Sequence, residues 1–210
     1  FTLRMLKRDL PPTFVLAHPL LELMIGFLYW AGRGHVDIFD AEAFILVVTQ
    51  VAAALAIYFW IGKPPGRWGE AKRIAAAATL TMVAPIMLFA PLDGLFYFGY
   101  IGLASYHNPT VHLLRPFAVI SFILTLRAFT HSRSPVWMIL LSAAILLGGA
   151  LAKPSYAMSI LPVIGIGAAW AIWRRKPVDW PMLIFGNALP ALLSLALQTI
   201  VVYLVADADA

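Results

Sequence analysis

Cysteine is absent from the 210 residues. Disulfides and thiol catalysis are therefore excluded, although nothing follows about compartment. Charge is scarce as well: Asp, Glu, Lys and Arg make up 12% of the chain, against about a quarter in soluble domains. Hydrophobic residues supply 62%, and a water-soluble fold would need polar surface that this composition lacks. Also missing are a Walker phosphate loop, an HExxH zinc helix, a dinucleotide glycine fingerprint and a nucleophile elbow. No cleavable signal peptide is visible. The start on Phe1 and the end in "VADADA", directly after an apolar run, point to a processed or truncated polypeptide that is part of a longer chain.

What the chain does have is a succession of apolar runs of about twenty residues, long enough to cross a hydrocarbon core roughly 30 Å thick. The expected fold class is all-α, a polytopic transmembrane helix bundle forming a single domain. Seven spans are expected, over residues 13–32, 43–61, 74–92, 110–129, 135–152, 156–173 and 181–205. Pro135 and Pro181 fall where helix starts accept proline. Pro85, Pro162 and Pro190 fall inside spans and free carbonyls that neighbours must satisfy.

The cations cluster beside the apolar runs, so the net charge of +5 is a topology signal and not a nucleic-acid one. Arg4, Lys7, Arg8, Lys63, Arg67, Lys72, Arg73, Arg127, Arg133, Arg174, Arg175 and Lys176 share one side if the spans alternate, leaving Arg33 and Lys153 opposite. This bias places the N-terminus in the cytoplasm and the C-terminus outside. The outer face then collects His35, Asp37, Asp40, Glu42, Asp93, His107, Asn108 and Lys153, most of the polar chemistry.

Two ions stand out within spans, Arg115 and Glu22. Arg115 is two turns into the fourth, where an arginine costs about 2.5–3.5 kcal/mol near mid-bilayer and less when it snorkels. It either snorkels to the outer boundary or faces a cavity and holds a phosphate or carboxylate. His18 and Glu22 are four residues apart on one face of the first span. They form a structural pair, with a Glu22–Arg115 bridge as one version, or a proton-handling pair.

Around these, each motif has an ordinary reading beside a functional one. Asn108 and Pro109 suit the start of a helix. Asp93, in "LDG", reads as a turn or, with Tyr97, Tyr100, Tyr106 and His107 close in sequence, as a general base or sugar contact. "GHVDIFDAE" carries no standard metal spacing and reads as a solvated acidic loop. No metal ligand set is assigned, and a divalent cation is the one cofactor left open. Lys153, at a tight turn before Pro154-Ser155-Tyr156, attracts phosphate or simply snorkels.

Three phrases, "HPLLEL" in the first span, "YHNPTVHLLRPFAV" opening the fourth and "LAKPSYAMSILPV" between the fifth and sixth, together resemble bacterial multi-span proteins similar to the GT-C class of membrane glycosyltransferases. The resemblance implies a transferase taking sugar from a polyprenyl-phosphate donor at the outer face. By that resemblance Arg115 and Lys153 would meet the lipid phosphate, and Tyr106, His107, Asn108 and Tyr156 would line the substrate pocket. The catalytic carboxylate would be Asp93, or one upstream of Phe1, because no large acidic outer loop follows the first span. Membrane lipid, the lipid-linked donor and other membrane subunits are the implied partners.

Two other classes compete. Gly/Ala-rich faces such as "AAAATLTMVA" and "LLGGALA" permit close helix contact and suit a non-catalytic subunit that scaffolds a larger complex. A secondary transporter should show related broken halves, and no such repeat is visible.

Overall fold

A computed structural model of the chain describes residues 19–33, 35–62, 69–82 and 109–200. Among the described residues all regular structure is helical, as the composition requires. The helices are α1 (Pro19–Ala31), α2 (Ile38–Ile61), α3 (Gly69–Met82), α4 (Pro109–Thr130), α5 (Val136–Ala152), α6 (Pro154–Trp173) and α7 (Trp180–Thr199), the last interrupted by a π turn over Ile184–Ala188. Each falls on an expected span. Four of them, α2, α4, α6 and α7, are long and apolar enough to cross a membrane, while α1 and α5 are shorter apolar helices. The chain is a membrane protein.

Local chemistry explains where the boundaries differ. α2 begins at Ile38, ahead of the expected start at 43, because Asp37 caps it and accepts from the Ile38 N–H at 2.6 Å. Asp40 lies in its first turn, where the helix dipole favours an anion. The "solvated acidic loop" is thus largely a helix start. α3 begins at Gly69, so Glu70, Lys72 and Arg73 form its first turns. At that end Arg73 donates from Nε to the Tyr58 carbonyl at 2.6 Å and lies 3.8 Å from the Tyr58 ring centre, while the Tyr58 hydroxyl donates to Glu70. This contact ties the end of α2 to the start of α3.

α4 is the centre of the bundle, with α2 on one side and α5 on the other; α3 packs on α2, and α7 packs on α5 and α6. Leu21, Ile25, Ile38, Ala41, Ile45, Leu113 and Ala152 form one core at the end bearing Arg33 and Lys153. Leu124, Ala128, Ile164, Met182 and Leu183 form another at the opposite end. These pairings make successive helices antiparallel, so Lys72, Arg73, Arg127, Arg133, Arg174, Arg175 and Lys176 gather at one end. Arg175 closes α6 in a left-handed conformation with φ of 53°, its N–H bonded to the Ile172 carbonyl. Beside it Arg174 stacks over Trp170 and Trp173, 4.7 and 4.9 Å from their ring centres.

Glycine sets the spacing of the later helices. A Cβ at Gly186 of α7 would stand 3.1 Å from Ser142 Cβ and 3.3 Å from the Ile139 carbonyl of α5. In lipid, where apolar side chains gain nothing by leaving the solvent, such close approach is a main source of helix association. Gly26 of α1 meets nothing within 4 Å. Gly26→Ala is therefore expected to raise stability by about 0.5–1 kcal/mol, whereas Gly186→Val pushes α5 and α7 apart and lowers it. Thermal unfolding of both variants in the same detergent checks the opposite signs.

Candidate functional site

Pro116, inside α4, was not among the expected span prolines; it has no N–H, so the His112 carbonyl loses its helical donor just before the central turn. Around this break, polar groups from three helices meet inside the membrane. Arg115 donates from Nη1 to the Thr81 carbonyl of α3 at 2.9 Å and to Oε1 of Gln50 at 3.4 Å. Gln50 donates from Nε2 to Nδ1 of His112 at 2.5 Å.

Pro85 lies outside the described residues, but by its chemistry it has no N–H to offer the Thr81 carbonyl, which in an α-helix would accept from residue 85. Arg115 supplies the missing donor from another helix. The kink expected at Pro85 itself falls outside the described residues.

The chain of bonds also sets proton positions. A guanidinium has only donors, so Gln50 must turn its oxygen to Arg115 and its NH₂ to His112. His112 Nδ1 is then an acceptor, and the neutral ring carries its proton on Nε2. With selective ¹⁵N-histidine labelling, His112 should show the unprotonated Nδ1 resonance of that tautomer. Gln50→Leu should abolish the preference.

The helices also fix the level of Arg115 in the bundle. At 1.5 Å per residue, Gln50 lies about 18 Å along α2 from Ile38, which is the midpoint of the 24-residue helix. Thr81 lies about 18 Å along α3 from Gly69. Arg115 is six residues into α4, but α4 starts opposite the middle of α2 and not at its end. The guanidinium lies beside the midpoint of α2.

Beside it is a cavity of about 220 Å³ walled by Ala53 and Ile57 of α2, Leu80 of α3, and Ala118 and Val119 of α4. Leu80 is 57% exposed, so this wall reaches the surface of the bundle. Among the described residues, Nε and Nη2 of Arg115 have no hydrogen-bond partner, which leaves three of five N–H groups unspent.

The other expected site residues lie elsewhere. His18, Asp93, Tyr106, His107 and Asn108 fall outside the described residues. Glu22 has a partner of its own, and Arg115 is held by Gln50 and Thr81. Lys153, half-buried, occupies the turn between α5 and α6. The Tyr156 ring packs where a Cβ on Gly149 would be, 3.0 Å away, and its buried hydroxyl has no partner among the described residues. On α4, Leu114 lies against Gly149, Phe117 against Gly148 and Ser121 beside Tyr156. Phe117 is roughly 200° around the helix from Arg115. Arg115 therefore faces α2 and α3, while Lys153 and Tyr156 belong to the α5–α6 side.

A second polar cluster, at Asn187, went unread in the sequence. Asn187 is fully buried in the π turn of α7. Its Oδ1 accepts from Thr125 Oγ1 of α4 at 2.9 Å and from Ser142 Oγ of α5 at 3.3 Å, and its Nδ2 donates to the Met182 carbonyl at 2.9 Å. Every polar atom of the amide is engaged, which makes this cluster a clamp on three helices and not an open site. The available signal for Gln50, His112 and Asn187 alike was a polar side chain in the middle of an apolar run.

Comparison with protein-family models, with curated proteins and with solved structures returns no match.

Proposed function

We propose that the chain is the membrane core of a transferase that takes sugar from a polyprenyl-phosphate carrier, with Arg115 as the group that meets the carrier's phosphate. The observation carrying this reading is a guanidinium beside the midpoint of α2, its Nε and Nη2 without a partner among the described residues, next to a cavity that opens to the surface at Leu80. Arginine presents a planar fork of donors that matches phosphate in two-point contact. In a site of low dielectric those donors stabilise the negative charge that develops on the departing polyprenyl phosphate. Ala53, Ile57, Ala118 and Val119 offer the hydrocarbon of the carrier an apolar wall. Asp93, or a carboxylate outside this sequence, removes the proton of the acceptor hydroxyl. Lys153, on the other side of α4, is left for headgroup charge at the membrane boundary. In this reading that boundary is the outer face, with the N-terminus cytoplasmic as the cation bias suggests and the membrane a bacterial inner one as the resemblance implies.

The test uses the chain in nanodiscs with polyprenyl phosphate and, separately, the corresponding polyprenol. Wild type should bind the phosphate in preference, Arg115→Lys should keep part of the preference as a point charge, and Arg115→Leu should lose it. Equal binding of phosphate and alcohol by wild type sinks the reading. Phosphate binding without sugar transfer from a polyprenyl-phosphate sugar favours the non-catalytic subunit instead.

A further inference from the structure

A second cleft lies on the opposite flank of the α2–α4 contact, towards the basic end. Its volume is about 640 Å³, and Ala52, Leu55, Ala56 and Phe59 of α2 with Ile120 and Ile123 of α4 form its walls. That volume is within the usual range of about 300–1,000 Å³ for small-molecule sites. The lining is apolar and belongs to two membrane-spanning helices, so water is not its natural content. Trp60 stands at the α2 end of the cleft, its ring 5.9 Å from Phe122. Tryptophan there is at the level where aromatic residues border the headgroups.

Ile120, Ile123 and Arg127 follow one another at steps of three and four along α4, a single helical stripe. Arg127 thus stands at the basic-end mouth of the cleft. Its Nε is buried and has no hydrogen-bond partner among the described residues. Nearby cations are already engaged, Arg73 with Tyr58 and Glu70 and Arg174 with two tryptophans. Among the described residues, Arg127 is the cation of this end that combines an unmade buried bond with an adjoining apolar cleft.

We propose that this cleft binds a phospholipid of the leaflet at the basic end, one acyl chain lying between α2 and α4 and the anionic phosphate on Arg127. Charge decides the occupant. A second copy of the chain docked through this cleft would bring its own basic end, with Arg127, Arg133, Arg174 and Arg175, against this one. An anionic headgroup neutralises the same cluster, as basic pockets between membrane helices do for acidic lipids. The site is separate from the Arg115 cavity, on the other flank of α2, and does not depend on any transfer activity.

The experiment is native mass spectrometry of the whole chain released from nanodiscs of equal phosphatidylcholine and phosphatidylglycerol. Wild type should retain phosphatidylglycerol in preference. Arg127→Gln should lower that preference roughly fivefold, the effect of about one interfacial charge. Ala56→Trp, and the milder Ala52→Leu, should lower retention of both lipids by filling the cleft, with helical circular dichroism unchanged. Undiminished preference in Arg127→Gln overturns the headgroup assignment. Undiminished retention in both cleft variants, or a change of oligomeric state in place of lipid count, overturns the site.

Discussion

Asn187→Leu is expected to destabilise the protein by about 2–4 kcal/mol, the largest stability loss of any single polar replacement considered above. The substitution removes the acceptor shared by Thr125 and Ser142 and the donor to the Met182 carbonyl in one step. Bilayer hydrocarbon offers no water to the three groups left behind. The two hydroxyls recover part of the loss by turning to carbonyls of their own helices, which holds the cost below the sum of three lost bonds. An unmade buried bond costs more than one replaced on both sides, so the triple variant Thr125→Val, Ser142→Ala, Asn187→Leu should regain much of the stability. Unfolding in mixed micelles compares the single and triple variants. A single variant as stable as wild type would show that the π turn holds without the clamp.

Arg115→Leu is expected to abolish binding of polyprenyl phosphate while its effect on folding depends on residue 85. Removing the charge relieves the cost of a cation within a span, yet it also strips the Thr81 carbonyl of the donor that Pro85 withholds. Pro85→Ala provides a backbone N–H in its place. In a double-mutant cycle the stability change from Arg115→Leu should therefore be about 1–2 kcal/mol more favourable when Ala stands at 85. Phosphate binding should stay lost in both backgrounds, because an N–H at 85 does nothing for the unspent Nε and Nη2. Restoration of binding by Pro85→Ala would mean that Arg115 acts only through α3. Zero coupling would mean that the Thr81 contact carries no weight.

These two positions show unequal legibility. Arg115 could be singled out from the sequence because an arginine in an apolar run is expensive. Its partners could not, because Gln50 and Thr81 are 65 and 34 residues away. Asn187 carried the same kind of signal and was passed over, as "IFGNALP" reads as one more apolar run broken by Pro190. Asp37 shows the reverse case. Its acidic neighbourhood was read as loop, whereas an Asp followed by an apolar run also marks a helix start.

The sequence by itself determined the solvent, the all-helical class, the positions of the helices and the end where the cations gather. These follow from short-range properties: the length of apolar runs, proline at helix starts, and charge beside each run. Only the tertiary structure decided the level of Arg115 in the bundle, because that level depends on where α4 begins relative to α2. It alone placed Lys153 and Tyr156 on the other side of α4 from Arg115, since facing follows from the rotation of each helix about its axis. It alone showed that a carbonyl near the end of α3 is held by an arginine of α4. Backbone groups cannot remain unpaired in hydrocarbon, so a donor missing from one helix must come from a neighbour, and which neighbour is a matter of packing.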